Sequence, residues 1–131
     1  MGKALAPRVS ARMGKGLYEL GGNNGMIVSR YANIDLAVRG IVFGAVGTAG
    51  QRCTTLRRLI VHNSVYDVLL EKLKSAYASL PVGDNFKEET LVGPLINQES
   101  ADRMLTVLEQ AKAKGYTCLL YTSPSPRDRV Q

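Results

Sequence analysis

Hydrophobic residues are spaced along this chain in two ways, in short continuous runs and at intervals of three and four positions. Short runs flanked by glycine or polar residues predict strands, here over 17–20, 26–29, 59–62 and 117–122. Intervals of three and four predict amphipathic helices, here over 66–80 and 98–114. A further helix is predicted over 3–13, although it contains Pro7. Helices that alternate with strands indicate an α/β fold with parallel strands.

A fourth helix, Leu36–Val46, is predicted to be buried on all sides, because it is apolar on most of its faces. Asn33 is a suitable N-cap for it, and Asp35 lies in its first turn, where a negative charge is favourable. The pattern Ser64-x-x-Asp67 resembles a capping box before the next helix. We expect the inward faces of the last two helices to consist of Tyr66, Leu70, Leu73, Tyr77 and Leu80, and of Ala101, Leu105, Leu108 and Ala111.

Composition excludes several classes of protein. Of the 131 residues, 45% are hydrophobic, too many for a disordered polymer. No apolar run approaches the ~18–20 residues that span a bilayer, so we expect no membrane segment. The N-terminal residues carry charge without a long apolar core, which excludes a secretory signal. Two cysteines are too few for a disulfide scaffold.

The positive net charge of +6 is confined to one half of the chain. Residues 1–62 contain nine Lys or Arg against two acids, a local charge of +7, whereas residues 63–131 contain eight against nine, a charge of −1. Basic residues interleaved with aromatic ones would favour a nucleic-acid groove, and the first half has no such run. We therefore expect no nucleic-acid partner.

Two residues have local settings that suit catalysis. Cys53 lies in a glycine-rich loop beside Arg52, whose charge favours the thiolate form. Glu19 lies at the end of a strand-like run, just before two glycines, which suits a general base. The alternatives are an inert structural cysteine and an ordinary surface acid. His62 is the only histidine and leads away along a strand, so a Cys–His protease pair is disfavoured.

Two longer motifs resemble those of the aldehyde dehydrogenase superfamily. Residues 17–24 (LYELGGNN) are similar to its glutamate motif, and residues 43–62 (FGAVGTAGQRCTTLRRLIVH) to its cysteine motif. Glu19 and Cys53 are 34 positions apart, the separation that the family uses. Residues 90–97 (TLVGPLIN) resemble a following turn of the family. Within the superfamily, the motifs are most similar to the branch that acts on α-aminoadipic semialdehyde.

The resemblance implies a catalytic cycle for these residues. Cys53 would attack an aldehyde to form a thiohemiacetal, and hydride transfer to NAD, with NADP also possible, would leave a thioester. Glu19 would activate the water that releases the acid. Arg52 would bind the carboxylate of a semialdehyde substrate, the alternative being that it binds backbone carbonyls. The cofactor would lie against Gly2, Leu20 and Gly21, and no metal is implied.

The resemblance also implies a domain organisation. Residues 1–20 would end the Rossmann-type cofactor domain, and residues 21–118 would form the first half of the catalytic domain. Residues 119–131 lack periodicity and are similar to sequencing-adaptor read-through, so we interpret them as a non-native tail. The chain would then be an internal fragment that is inactive alone, derived from a cytoplasmic homo-oligomer, a tetramer at full length.

Two other functions are consistent with these motifs. The first is another branch of the superfamily, such as a succinic semialdehyde or betaine aldehyde enzyme. The second, from a different class, is a non-catalytic α/β module whose basic half binds anionic partners. The reactivity of the Cys53 thiol distinguishes the non-catalytic module from an enzyme of the superfamily, because a catalytic cysteine reacts faster than free cysteine.

Overall fold

The computed structural model describes residues 1–117. These residues form four α-helices, two β-strands and one 3₁₀ turn. In chain order the elements are α1 (Gly2–Ala11), β1 (Asn24–Val28), α2 (Ile34–Val46), the 3₁₀ turn (Gly47–Gly50), β2 (Leu56–Val61), α3 (Asn63–Ala78) and α4 (Gln98–Ala113). Three predictions concern residues at or beyond the end of this range: the strand over 117–122, Cys118 and the tail at 119–131. They lie outside the described residues.

The two strands form a parallel pair joined by a helical crossover, as the alternating pattern predicted. Ile27 pairs with Ile60 and Val28 with Val61, and α2 connects the strands. Parallel strands require such a crossover, because a tight turn can only reverse the chain direction. The α/β class is therefore confirmed for the described residues.

One face of this sheet carries the core. Val28, Ile41 and Leu69 are almost completely buried and pack together, one each from β1, α2 and α3. Side chains of a strand alternate between faces, so the intervening residues point away from these helices. Ile27 is 76% exposed and its partner Ile60 is 59% exposed. The opposite face of the sheet is therefore apolar and open in the described part of the chain.

Helix α2 begins as predicted but is not buried on all sides. Asn33 caps it, with its side-chain oxygen accepting a hydrogen bond from the Leu36 amide at 3.0 Å. Ile41 is buried, whereas Leu36 and Phe43 are exposed. The prediction of all-round burial is wrong because β2 and α3 cover only one side of the helix here.

The cap of α3 differs from the predicted capping box. The helix begins at Asn63, and His62 is its N-cap, with Nδ1 accepting a hydrogen bond from the Ser64 amide at 3.2 Å. Ser64 therefore lies inside the first turn, where its hydroxyl contacts His62 Nδ1 at 2.9 Å. The Ser64–Asp67 prediction is wrong because the helix starts earlier than its serine.

The inward stripe of α3 matches the prediction in part. Leu73 packs against the core as predicted, and Leu70 and Leu80 are half-buried. Tyr66 and Tyr77 are exposed instead, and Val65 and Leu69 face the core in their place. Both stripes have helical spacing, so periodicity alone could not choose between them.

Residues 17–20 do not form a strand, which corrects another prediction. A strand needs a neighbour to satisfy its backbone groups, and in residues 1–117 the strands β1 and β2 pair only with each other. Leu17 and Leu20 are exposed. The glutamate motif therefore lies on irregular backbone that leads into β1.

Helix α4 follows a connection held by a single bridge between Val82 and Val92. Asn97 caps the helix by accepting a hydrogen bond from the Ser100 amide at 2.9 Å. Gly115 adopts φ of 84° just beyond its end, the left-handed conformation usual for a residue that terminates a helix. Ala101, Leu108 and Ala111 are half-buried, whereas Leu105 is exposed, so most of the predicted inward face is confirmed.

Candidate active site

The loop before Cys53 contains a turn of left-handed helix. Thr48, Ala49 and Gly50 have φ values of 55°, 51° and 72°. Glycine adopts such angles freely, but residues with a Cβ are destabilised there by ~1–2 kcal/mol each. Two of the three residues carry this cost, so other contacts must hold the turn in place.

Cys53 itself is exposed, while the backbone around it is fixed. The Asn24 side-chain amide donates hydrogen bonds to the Cys53 carbonyl at 2.8 Å and to the Thr55 carbonyl at 3.0 Å. The Thr55 amide bonds to the Arg52 carbonyl at 3.1 Å, and the Thr55 hydroxyl accepts from the Arg52 amide at 3.1 Å. The thiol therefore projects from a closed turn whose backbone is tied to the start of β1.

Two arginines extend this attachment. Arg57 Nε donates to the Gly22 carbonyl at 3.1 Å. Arg58 binds the Asn23 carbonyl through two nitrogens, at 3.1 and 2.7 Å. With Asn24, these contacts join the end of the glutamate motif to the residues that follow Cys53. We call residues 22–24 and 53–58 with these hydrogen bonds the motif junction.

Sequence reasoning did not find the motif junction. The sequence nevertheless contained a signal for it, because β1 and β2 were predicted to be parallel. The residues that precede two neighbouring parallel strands lie at the same edge of the sheet. Asn24, Arg57 and Arg58 could therefore have been placed together on that ground.

Glu19 is exposed and lies three residues before the motif junction. Within residues 1–117, its carboxylate makes no hydrogen bond or ion pair, and none joins it to Cys53. The structure thus brings the two motifs together through side-chain-to-backbone hydrogen bonds, not through a contact between Glu19 and Cys53. The carboxylate itself remains accessible to water.

The Arg52 guanidinium is directed toward the end of α2. A terminal nitrogen donates to the Phe43 carbonyl at 3.0 Å, and the guanidinium carbon lies 5.1 Å from the centre of the Phe43 ring. Arg52 Nε is buried and has no hydrogen-bond partner within residues 1–117. The bond to the Phe43 carbonyl is the carbonyl-binding alternative considered above for Arg52. A side chain at Gly47 would overlap this guanidinium, so the flexible end of Arg52 would have to move to admit it.

Gln51 connects the left-handed turn to a distant segment. Its backbone amide and its side-chain Nε2 both donate to the Thr48 carbonyl, at 3.0 and 3.1 Å. Its Oε1 accepts a hydrogen bond from the Ile96 amide at 2.9 Å. Residues 90–97 are therefore held against the cysteine loop by this glutamine, a contact that the sequence alone did not predict.

The residues predicted to lie near a cofactor form a small apolar surface. Gly2 is buried, and a Cβ there would lie 3.0 Å from Leu20 Cδ1. Leu20 is exposed, and a Cβ at Gly21 would meet nothing within 4 Å. Leu20 and Gly21 are thus open to solvent, whereas Gly2 makes room for Leu20.

Other kinds of site were sought over residues 1–117. No three His, Cys, Asp or Glu side chains are grouped so that they could hold a metal ion there. None of the helices in this range is long and apolar enough to cross a membrane.

The fold and these motifs place the chain in a known class of protein. The chain belongs to the aldehyde dehydrogenase family, whose model matches residues 1–130. The resemblance drawn from the two motifs is therefore confirmed.

Particular relatives refine this assignment. Aldehyde dehydrogenase family 7 member A1 of Brassica napus is 49% identical over 115 residues, which cover 88% of this chain and 23% of that protein. Alpha-aminoadipic semialdehyde dehydrogenase of Bos taurus is 44% identical over 117 residues, 89% of this chain and 22% of that protein. The resemblance to this branch is also confirmed. The chain spans less than a quarter of the length of these relatives.

Solved structures show the same relationship. Betaine aldehyde dehydrogenase of Staphylococcus aureus, in complex with NAD⁺, matches with a TM-score of 0.85 and 30% identity, over 88% of this chain and 23% of that one. Succinate-semialdehyde dehydrogenase of Burkholderia pseudomallei matches with a TM-score of 0.81 and 34% identity, over 87% and 24%. The described residues therefore adopt part of the aldehyde dehydrogenase fold.

Proposed function

We propose that this chain supplies the nucleophile and the general base of an NAD(P)-dependent aldehyde dehydrogenase. The substrate we infer is a semialdehyde that bears a carboxylate, such as α-aminoadipic semialdehyde. The observation that carries the proposal is the motif junction. Through it, the exposed Cys53 and the segment that follows Glu19 are held together, although they are separated by about thirty positions.

Cys53 is the nucleophile in this proposal. Its sulfur forms a bond to the aldehyde carbon, and the carbonyl π electrons move to oxygen as an oxyanion. When the oxyanion collapses back to a carbonyl, the carbon loses its hydrogen as hydride, which NAD(P)⁺ accepts when bound. The product is a thioester on Cys53. The fixed backbone of the motif junction supports this step, because a nucleophile must be held close to its attack geometry.

Glu19 is the general base of the second half of the cycle. Its carboxylate takes a proton from water as the water oxygen bonds to the thioester carbon. The carbon–sulfur bond then breaks, which releases the carboxylic acid and restores the Cys53 thiolate. The exposure of Glu19 supports this role, because the base must reach bulk water.

The cofactor would be held in part by Leu20 and Gly21. Leu20 offers an apolar contact, and the open backbone at Gly21 admits a flat ring. Arg52 is the residue that we infer to bind the substrate carboxylate, since a guanidinium matches that group in shape and charge. Binding would require the guanidinium to exchange its contact with the Phe43 carbonyl for the substrate.

A chimeric enzyme tests this proposal. Residues 1–117 replace the matching segment of the bovine enzyme, to which they are 44% identical. The chimera should form NADH with α-aminoadipic semialdehyde, and more efficiently than with succinic semialdehyde or betaine aldehyde. The 131-residue chain alone should form none and serves as the reference.

Two variants of the chimera assign the residues. Cys53→Ser should abolish NADH formation and prevent trapping of a thioester. Glu19→Gln should give a burst of about one NADH per site and then turn over ~10²–10⁴-fold more slowly, because the thioester is no longer hydrolysed efficiently. A folded chimera without activity, or one that remains active with Cys53→Ser, would contradict the proposal.

A further inference from the structure

Gln51 forms hydrogen bonds with both the left-handed turn and Ile96, which lies just before α4, through one side chain. It lies two positions before Cys53. Its Nε2 and its backbone amide both donate to the carbonyl of Thr48, the first residue of the turn. The Thr48 carbonyl is therefore held by two donors from the same residue.

The other end of this side chain binds a segment 45 positions away. Gln51 Oε1 accepts the Ile96 amide hydrogen at 2.9 Å. Ile96 precedes Asn97, the residue that caps α4. Ile96 is 82% exposed, so its own side chain adds little packing, and its amide is fixed by the hydrogen bond that it donates to Gln51.

An amide side chain is required for this arrangement. A glutamine can donate at one end and accept at the other, whereas glutamate only accepts and methionine does neither strongly. The turn consists of residues in an unfavourable conformation, and such a conformation persists only where surrounding contacts determine it. Gln51 supplies contacts of this kind, in addition to those made by Asn24.

We propose that Gln51 is a positioning residue for Cys53, fixing the cysteine loop by joining the Thr48 carbonyl to the Ile96 amide. The inference rests on the proposed function in so far as Cys53 is the nucleophile. It also makes a separate claim about the loop, which can be measured without any catalysis.

The first experiment measures the loop in the 131-residue chain by ¹⁵N relaxation and amide exchange. Gln51→Met should lower the backbone order parameters of residues 48–53 from about 0.85 to below about 0.6. It should also speed exchange of the Ile96 amide by at least ~10-fold, because that amide loses its acceptor. Gln51→Glu should keep Ile96 protected while residues 48–53 become partly mobile.

The matched control is Gln98→Met. Gln98 is an exposed glutamine whose Nε2 donates to Asp102 at 2.7 Å, so this change also removes one side-chain hydrogen bond. It should leave the loop unchanged. If Gln51→Met fails to fold, Gln51→Glu decides the question, because it separates the two bonds. Unchanged order parameters at residues 48–53 in the folded Gln51 variants would overturn the inference.

The second experiment measures turnover in the chimera. Gln51→Met should lower kcat by ~10–100-fold while KM for the aldehyde changes by less than ~3-fold, since a misplaced nucleophile affects chemistry more than binding. Gln51→Glu should recover part of this loss. A mobile loop with unchanged kcat would overturn the positioning role. A folded parent chimera without activity would instead contradict the proposed function, and the relaxation data alone would then decide whether Gln51 holds the loop.

Discussion

Three arginines near Cys53 bind backbone carbonyls. Arg52 binds the Phe43 carbonyl, while Arg57 and Arg58 bind carbonyls of the segment after Glu19. Part of the charge of +7 in the first half of the chain thus belongs to arginines that hold loops in place through hydrogen bonds. Their positive charge also lies close to the cysteine loop.

Asn24 makes the most direct contact with the cysteine turn, and its replacement should be costly. Asn24→Leu removes both hydrogen bonds and leaves the carbonyl of the buried Thr55 without this donor. We expect the free energy of unfolding of the 131-residue chain to fall by ~1–3 kcal/mol. Urea denaturation followed by circular dichroism measures this change.

The neighbouring asparagine provides the control for that measurement. Asn23 contributes its backbone carbonyl to Arg58, and its side chain makes no hydrogen bond within residues 1–117. Asn23→Leu should therefore change the free energy of unfolding by less than ~0.5 kcal/mol. Equal losses for the two variants would show that the Asn24 side chain does not stabilise the turn.

Among the elements, α2 and α3 are joined by an ion pair as well as by the core. Lys72 on α3 lies 2.8 Å from the carboxylate of Asp35 in the first turn of α2. Its hydrogen bond and positive charge lower the pKa of Asp35, with a smaller contribution from Arg39. Both side chains are exposed, so the pair contributes little to stability.

Removal of Lys72 should return the pKa of Asp35 toward its ordinary value. A lowered pKa means that the unfolded state binds the proton more readily, so the contribution is present above the unfolded pKa and is lost as pH falls through the folded one. Carbon-detected NMR titration of the Asp35 carboxyl in Lys72→Met tests this. Lys74→Met, which removes a pair with Glu71 within α3, should leave the Asp35 titration unchanged.

Local patterns predicted these elements better than they predicted the contacts between them. Asn33 was identified as a cap because capping depends on neighbouring residues. Residues 17–20 were wrongly assigned to a strand, because a strand depends on a partner that local periodicity does not specify. Cys53 and Glu19 were selected by their local settings and by motif resemblance, and their roles stay predictions. Gln51 was missed because its hydrogen bond spans 45 positions.

At the scale of the described residues, 1–117, the open face of the sheet is a prominent surface feature. Ile27 and Ile60 are paired across the strands and both are exposed. Exposed apolar surfaces of this kind favour association.

The double variant Ile27→Thr with Ile60→Thr should reduce self-association of the 131-residue chain. Threonine keeps the preference for a strand while it makes this face more polar. Sedimentation velocity at increasing concentration should show a smaller shift toward larger species than for the unmodified chain. Leu17→Thr changes an exposed leucine outside the sheet and should have little effect. An equal reduction by Leu17→Thr would exclude the sheet face as the cause.

The turn at residues 48–50 has a consequence that concerns chirality. Its backbone has the hand that mirror-image amino acids prefer, although it is built here from two L residues and a glycine. A D-alanine at position 49 would therefore suit the native angles better than the L-alanine that the ribosome incorporates. Unlike glycine, it would not add freedom to the unfolded chain. In this loop, the L configuration of Thr48 and Ala49 disfavours the native backbone angles, and the hydrogen bonds around the turn compensate for that cost.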